Sequence, residues 1–203
     1  MASIIGVETL QHTNGTTAAT IDSSGNLDLA NKAGQVLEVL AMNCDGESYV
    51  VKSGTYTSTN VTTHQGLTTT YADVNGSSVN YTPPAGTKAV VYEFNFHCRG
   101  VDAHGITHMK FYVDGSEVVY ARTNISGNSA HSGRHHFRHV VSIGGTANSN
   151  TGRLASWSGA KVLKMTAREY GSSNEMNLHQ TTHWDGGGSN QFIQPTLTIT
   201  AIG

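Results

Sequence analysis

The stretch from Ala89 to Arg122 constrains the fold most. Ala89 to Cys98 alternates, with Val90, Tyr92, Phe94, Phe96 and Cys98 on one side and Glu93, Asn95 and His97 on the other. That two-residue period is the mark of a central, half-buried strand. Ile106 to Val113 repeats it, with Ile106, His108, Lys110 and Tyr112 opposing Thr107, Met109, Phe111 and Val113. The next pair, Asp114-Gly115, suits a tight hairpin turn and predicts a returning strand over Glu117 to Arg122.

Further strands are predicted at Val36 to Met42, Ser48 to Ser53, Thr68 to Val74, Ser77 to Thr82, His135 to Ile143, Lys161 to Tyr170, Met176 to Thr182 and Thr196 to Ile202. Gly, Asn, Ser and Pro punctuate them at short intervals. That spacing favours a sandwich or barrel over any βαβ arrangement, and the expected fold is an all-β, antiparallel, jelly-roll-like sandwich. At 203 residues the chain has room for one domain with a real core and a short appendage.

Charge narrows the function classes. Charged residues are 13% of the chain, the formal net charge is -2, and no basic run is present. Nucleic-acid backbone binding needs clustered Lys and Arg, so that class is set aside. The N-terminus, Met1 to Glu8, has neither a basic leader nor an apolar stretch long enough for a signal peptide or membrane span, so synthesis in a cytoplasm and no membrane insertion are expected. Cys44 and Cys98 read as buried free thiols.

The N-terminal region reads differently from the rest. Thr16 to Ile21 and Leu27 to Ala30 form two short strands around an Asp22-Ser23-Ser24-Gly25 turn. A hairpin whose apolar residues are Ala18, Ile21, Leu27 and Leu29 buries too little to stand alone. The division expected is a stem or anchoring segment at residues 1–33 and a β-sandwich head at residues 34–203.

Three segments carry a resemblance: Gly34-Gln35-Val36-Leu37, the run Leu67 to Val74, and the run Ser77 to Val91 with its Tyr81-Thr82-Pro83-Pro84-Ala85-Gly86 core. In this order they resemble virion fibre and appendage proteins of marine tailed bacteriophages. The Gly15-Thr16-Thr17-Ala18-Ala19-Thr20-Ile21-Asp22-Ser23-Ser24-Gly25 stretch is similar to the stem repeats that precede such heads. The resemblance implies a homotrimer on the virion, made in the host cytoplasm, with residues 1–33 contacting other phage structural proteins. Short strands rich in Thr, Ala and Ser leave weak cores and open sheet edges, which symmetric association would cover.

Histidine is in excess, at 11 residues, with His104 and His108 four apart and His131, His135, His136 and His139 close together. On one strand His135 and His139 lie two pleats apart, roughly 13 Å at ~3.3 Å per residue, too far to share one ion. No metal or other cofactor is therefore expected from a single strand. A site would need three copies of one histidine around a trimer axis, with His97, His108 and His136 as candidates by strand phase. No Gly-x-Ser-x-Gly elbow, His-Glu-x-x-His or paired carboxylates appear; Asp102, Asp114, Glu117, Glu169, Glu175 and Asp185 are scattered, so no catalytic residue is assigned and no enzyme is expected.

The best ligand-binding loop spans Thr181 to Gln191. Trp184 could stack a sugar ring beside His183, with Asp185, Asn190 and Gln191 bonding its hydroxyls. The plainer alternative buries Trp184 under the sandwich end. Asn148 to Ser158, with Arg153 and Trp157, is a second exposed-loop candidate. Three functions fit: a tail fibre or appendage head binding host surface glycan, a capsid decoration or cement protein with no ligand, and a free bacterial lectin.

Overall fold

The computed structural model describes residues 8–11, 13–15, 17–21, 23, 27–29, 33–101, 104–127, 132–184 and 188–203. In chain order the strands are β1 (Thr9–Gln11), β2 (Thr17–Ile21), β3 (Leu27–Leu29), β4 (Val36–Asn43), β5 (Ser48–Val51), β6 (Gly54–Thr57), β7 (Gln65–Gly66), β8 (Ala72–Asp73), β9 (Val79–Tyr81) and β10 (Ala89–Gly100). They continue with β11 (Gly105–Val113), β12 (Ser116–Glu117), β13 (Thr123–Gly127), β14 (Ser132–Ser142), β15 (Lys161–Glu169), β16 (Met176–Leu178), β17 (Gln180–Trp184), β18 (Gly188–Phe192) and β19 (Thr196–Ile202). Among the described residues no helix is long and apolar enough to cross a membrane.

Two large antiparallel sheets form the sandwich. One runs β4-β19-β10-β14 and is extended beyond β10 by β16 and β7. The other runs from β8 and β9 through β15 and β11 to β13, with β12 closing a hairpin on β11. Along the chain β10, β14 and β16 of the first sheet alternate with β11 to β13 and β15 of the second, and the last strand, β19, lies between β4 and β10, giving a jelly-roll-like antiparallel sandwich. Among the described residues the sheet β1-β2-β3 pairs with neither large sheet.

The alternation read from the sequence is what fills the core. Val90, Tyr92, Phe94, Phe96 and Cys98 of β10 are all buried, and they meet Met109, Phe111 and Val113 of β11 across the sandwich. The Tyr92 ring lies 4.8 Å from that of Phe111, and Phe137 of β14 joins Phe111 at 5.4 Å. Each such aromatic contributes roughly 2–3 kcal/mol by leaving water. The buried Tyr92 hydroxyl donates to the Ser77 carbonyl at 2.6 Å, which spares the core an unpaired polar group. Gly105 permits close approach of the sheets at one end, where a Cβ would fall 2.8 Å from Gly100 Cα.

Three details depart from the sequence expectation. The Asp114-Gly115 turn forms as expected, both residues at positive φ, but the returning strand stops at Glu117 and a short 3-10 turn, Val119–Ala121, carries the chain to β13. The strand expected over Met176 to Thr182 breaks at His179, whose φ of 61° turns β17 out of the sheet that β16 continues. Thr68 to Val74 contributes only the short β8. Both cysteines are free and buried, and burial with the neighbouring Asp45 charge pushes the Cys44 thiol up to about 12.

Candidate functional site

The registers sort the loops to two ends. One end gathers the termini Gly100, Gly105, Gly127, Ser132 and Thr196; the other gathers Val113, Ser142, Lys161 and Ile202. The β17-β18 hairpin rises from the first end and, among the described residues, pairs only with itself. Its root is fastened to the sandwich: Arg99 Nε donates to Thr182 Oγ1 at 2.9 Å, Ser132 Oγ meets Thr181 Oγ1 at 2.7 Å, and the Thr182 amide donates to Ser132 Oγ at 3.1 Å. Beyond the root, every residue of β18 is exposed.

Within the hairpin, His183 pairs with Ser189 and Thr181 with Gln191, so His183 and Gln191 share one face. Asn190 pairs with Thr182 on the opposite face, where Thr182 Oγ1 donates to Asn190 Oδ1 at 3.5 Å. Trp184 pairs with Gly188 through the backbone, and Asp185 lies outside the described residues. His183 and Gln191 therefore can act together, whereas Asn190 looks the other way.

Beside the hairpin root the sandwich is open. β13 and β14 are the facing edges of the two sheets, and between them runs a groove of about 170 Å³ near the hairpin and about 160 Å³ further along. His135 lines both parts, with Ile125, Phe96 and Met176 forming apolar walls and Ser126 and Asn124 polar ones. The His135 ring stands 5.9 Å from that of Phe96. Burial, and then the His97 charge, hold its pKa below the usual imidazole range. His97 is likewise held low by burial and by Arg134, and its Nδ1 is shut from solvent without a hydrogen-bond partner among the described residues. Deeper still, His179 is fully buried among Phe94 and Phe96, and desolvation brings it down to about 4 against an opposing pull from the Asn75 backbone. Neither part of the groove reaches the ~300 Å³ at which enclosed small-molecule sites begin, so its shape suits a surface contact.

Arg153 and Trp157 lie at the opposite end and join none of these residues. Trp157 Nε1 donates to the Gly159 carbonyl at 3.1 Å, and its ring meets Tyr81 edge-on at 6.3 Å, so it acts as a lid on the core. Arg153 donates to the Gly144 carbonyl at 3.1 Å. It borders a cleft of about 300 Å³ whose floor is Val113, Val118 and Leu154 and whose rim holds the Asp114 to Lys161 ion pair at 2.9 Å.

The histidine candidates separate as well. His97 and His136 lie on the outer face of the β10-β14 sheet, whereas His108 lies on the outer face of the β11-β15 sheet. His136 Nε2 sits 3.2 Å from Glu93. Among the described residues no three His, Cys, Asp or Glu side chains come together as a metal site. The groove itself had no signal in the sequence, because its walls come from five separate strands.

No protein-family model and no curated protein matches the chain. A solved structure titled "Structure of infectious bursal disease virus Gx strain" is similar at 10% identity and a TM-score of 0.43, over 88% of this chain and 34% of that one. The chain thus spans about a third of that neighbour's length. At that score the likeness places no constraint on function.

Proposed function

We propose that the chain is a virion structural protein of a tailed bacteriophage, the head of a short fibre or appendage that touches the host surface with its hairpin end. The observation that carries this reading is the β17-β18 hairpin, a self-paired projection anchored by Arg99 and Ser132 next to an open groove. An enclosed reaction site needs converging polar groups in a deep pocket; a projecting hairpin over a shallow groove suits recognition of a surface. Jelly rolls serve in capsid and lectin domains alike, and both uses fit a protein that binds without reacting.

On this reading the chain self-associates as a trimer, and the outer face of the β4-β19-β10-β14 sheet supports it. Val39, Thr200, Val91 and Val140 line up across its four strands, with Val39 and Val140 exposed. Such a row suits contact with other copies, leaving residues 1–33 as the stem that joins the rest of the particle. The same row favours a second reading, a decoration protein that lays this sheet on the capsid shell. Gold-labelled antibody on intact particles separates the two. Label on the tail or projecting fibres supports the appendage, label spread over the head supports decoration, and no label on particles overturns both.

A further inference from the structure

The outer face of the β11-β15 sheet has a composition unlike the rest of the surface. The Tyr71 ring lies under two cations, with Lys110 Nζ at 4.5 Å and Arg168 Cζ at 5.5 Å from its centre. His108, directly across from Arg168 in the register, holds its ring 6.0 Å from that of Tyr170, which is 61% exposed. Carboxylates answer only part of this charge. Glu117 pairs with Lys110 at 3.1 Å and with Arg122 at 2.5 Å, and Asp73 pairs with Lys164 at 2.8 Å. Arg168 meets no carboxylate among the described residues; it donates Nη1 to the Thr69 carbonyl at 3.3 Å, and its Nε has no acceptor. A chain of net charge -2 therefore carries a positive, aromatic face on which the Arg168 guanidinium has no carboxylate partner among the described residues.

We propose that this face binds an acidic glycan, a sugar chain bearing carboxylates. Arg168 and Tyr170 are two residues apart on one side of the chain, about 7 Å, which is the span of one pyranose ring and its exocyclic carboxylate. The guanidinium takes the carboxylate, the exposed Tyr170 ring stacks the sugar, and His108 reaches a hydroxyl. Charge complementarity selects the class. A nucleic acid would need a row of unpaired cations, and Arg168 stands alone among paired ones. This site is separate from the hairpin end and holds whichever particle carries the chain.

The test is a titration of the whole protein with fluorescent oligogalacturonate, beside neutral dextran, dextran sulfate and a single-stranded oligonucleotide. The expected result is binding of oligogalacturonate and not of neutral dextran. Arg168→Gln weakens it about tenfold or more, while Arg138→Gln on the opposite sheet leaves it unchanged. Tyr170→Ala, at an exposed ring, weakens it several-fold and decides the matter if Arg168→Gln fails to fold by circular dichroism. Failure to bind oligogalacturonate, equal loss in Arg138→Gln, no loss in the face variants, or preference for the sulfate or the oligonucleotide overturns the proposal.

Discussion

The two seams of the sandwich, where the edges of its sheets face each other, are built in opposite ways. Between β4 and β9 the β5-β6 hairpin folds over the gap and is locked by hydrogen bonds. The buried Glu38 carboxylate accepts from the Ser53 amide at 2.6 Å, Ser53 Oγ at 2.7 Å and the Tyr81 hydroxyl at 2.7 Å. The Tyr56 hydroxyl meets Ser53 Oγ at 2.9 Å and donates to the Thr82 carbonyl at 3.0 Å, and the Tyr56 and Tyr81 rings lie 5.3 Å apart. Between β13 and β14, among the described residues, no element covers the gap and no side-chain hydrogen bond crosses it; the groove is lined by His135 and apolar walls. A seam closed by a satisfied polar network serves the fold. One left open beside a projecting hairpin is free to serve a partner.

Substitution in the closed seam has the largest expected effect. Glu38→Ala leaves the Tyr81 hydroxyl and the Ser53 amide without their acceptor and costs about 3 kcal/mol. For a chain of this length that lowers the melting temperature by roughly 10 °C, read by calorimetry. A loss of only a degree or two means that the lock is not what closes this side.

Acid acts elsewhere. His135 in the open groove, His97 on the outer face of β10 and His179 just beyond β16 all have their pKa lowered by burial, so the unfolded chain binds protons before the native one does. Stability is therefore full above the ordinary histidine value of 6.5 and drains as pH falls toward the value of about 4 that His179 keeps when folded. His179 alone accounts for roughly 3 kcal/mol of that loss. His179→Phe, which keeps an aromatic ring there, flattens the melting temperature between pH 6.5 and 4; an unchanged slope sinks the assignment.

Smaller effects sharpen the contrast. Tyr56→Phe removes the hydroxyl's contacts with Ser53 Oγ and with the Thr82 carbonyl and amide, and costs about 1–2 kcal/mol in denaturant titration. Ile125→Ala, on a wall of the open groove, costs under about 1 kcal/mol, since a half-exposed side chain has less to lose. A reversal of these two would make the open seam the structural one.

The core of the fold was legible because β10 and β11 alternate over long runs and Asp114-Gly115 forces a turn. β6, β13 and β18 were not, since Gly54-Thr-Tyr-Thr, Thr123-Asn-Ile-Ser-Gly and Gly188-Ser-Asn-Gln-Phe are short and polar and take their strand form from the neighbours they pair with. The break at His179 had no local signal either, because a positive φ is usually announced by glycine. At the candidate site the sequence read Thr181 to Gln191 as a loop around Trp184 and not as a paired hairpin, and it could not show that Trp157 packs on Tyr81. Nor could it place Tyr71, Lys110 and Arg168 on one face, for they lie on separate strands or their flanks and meet only after folding.

The most direct test of the host-contact account is competition for adsorption. Purified protein is added to cells before the particles that carry it, alongside a variant whose hairpin beyond Thr182 and Asn190 is replaced by a short Gly-Ser turn. The account predicts that the intact protein slows adsorption in a dose-dependent way and that the shortened one does not. Adsorption unaffected at any dose, or equal competition by the shortened variant, contradicts it.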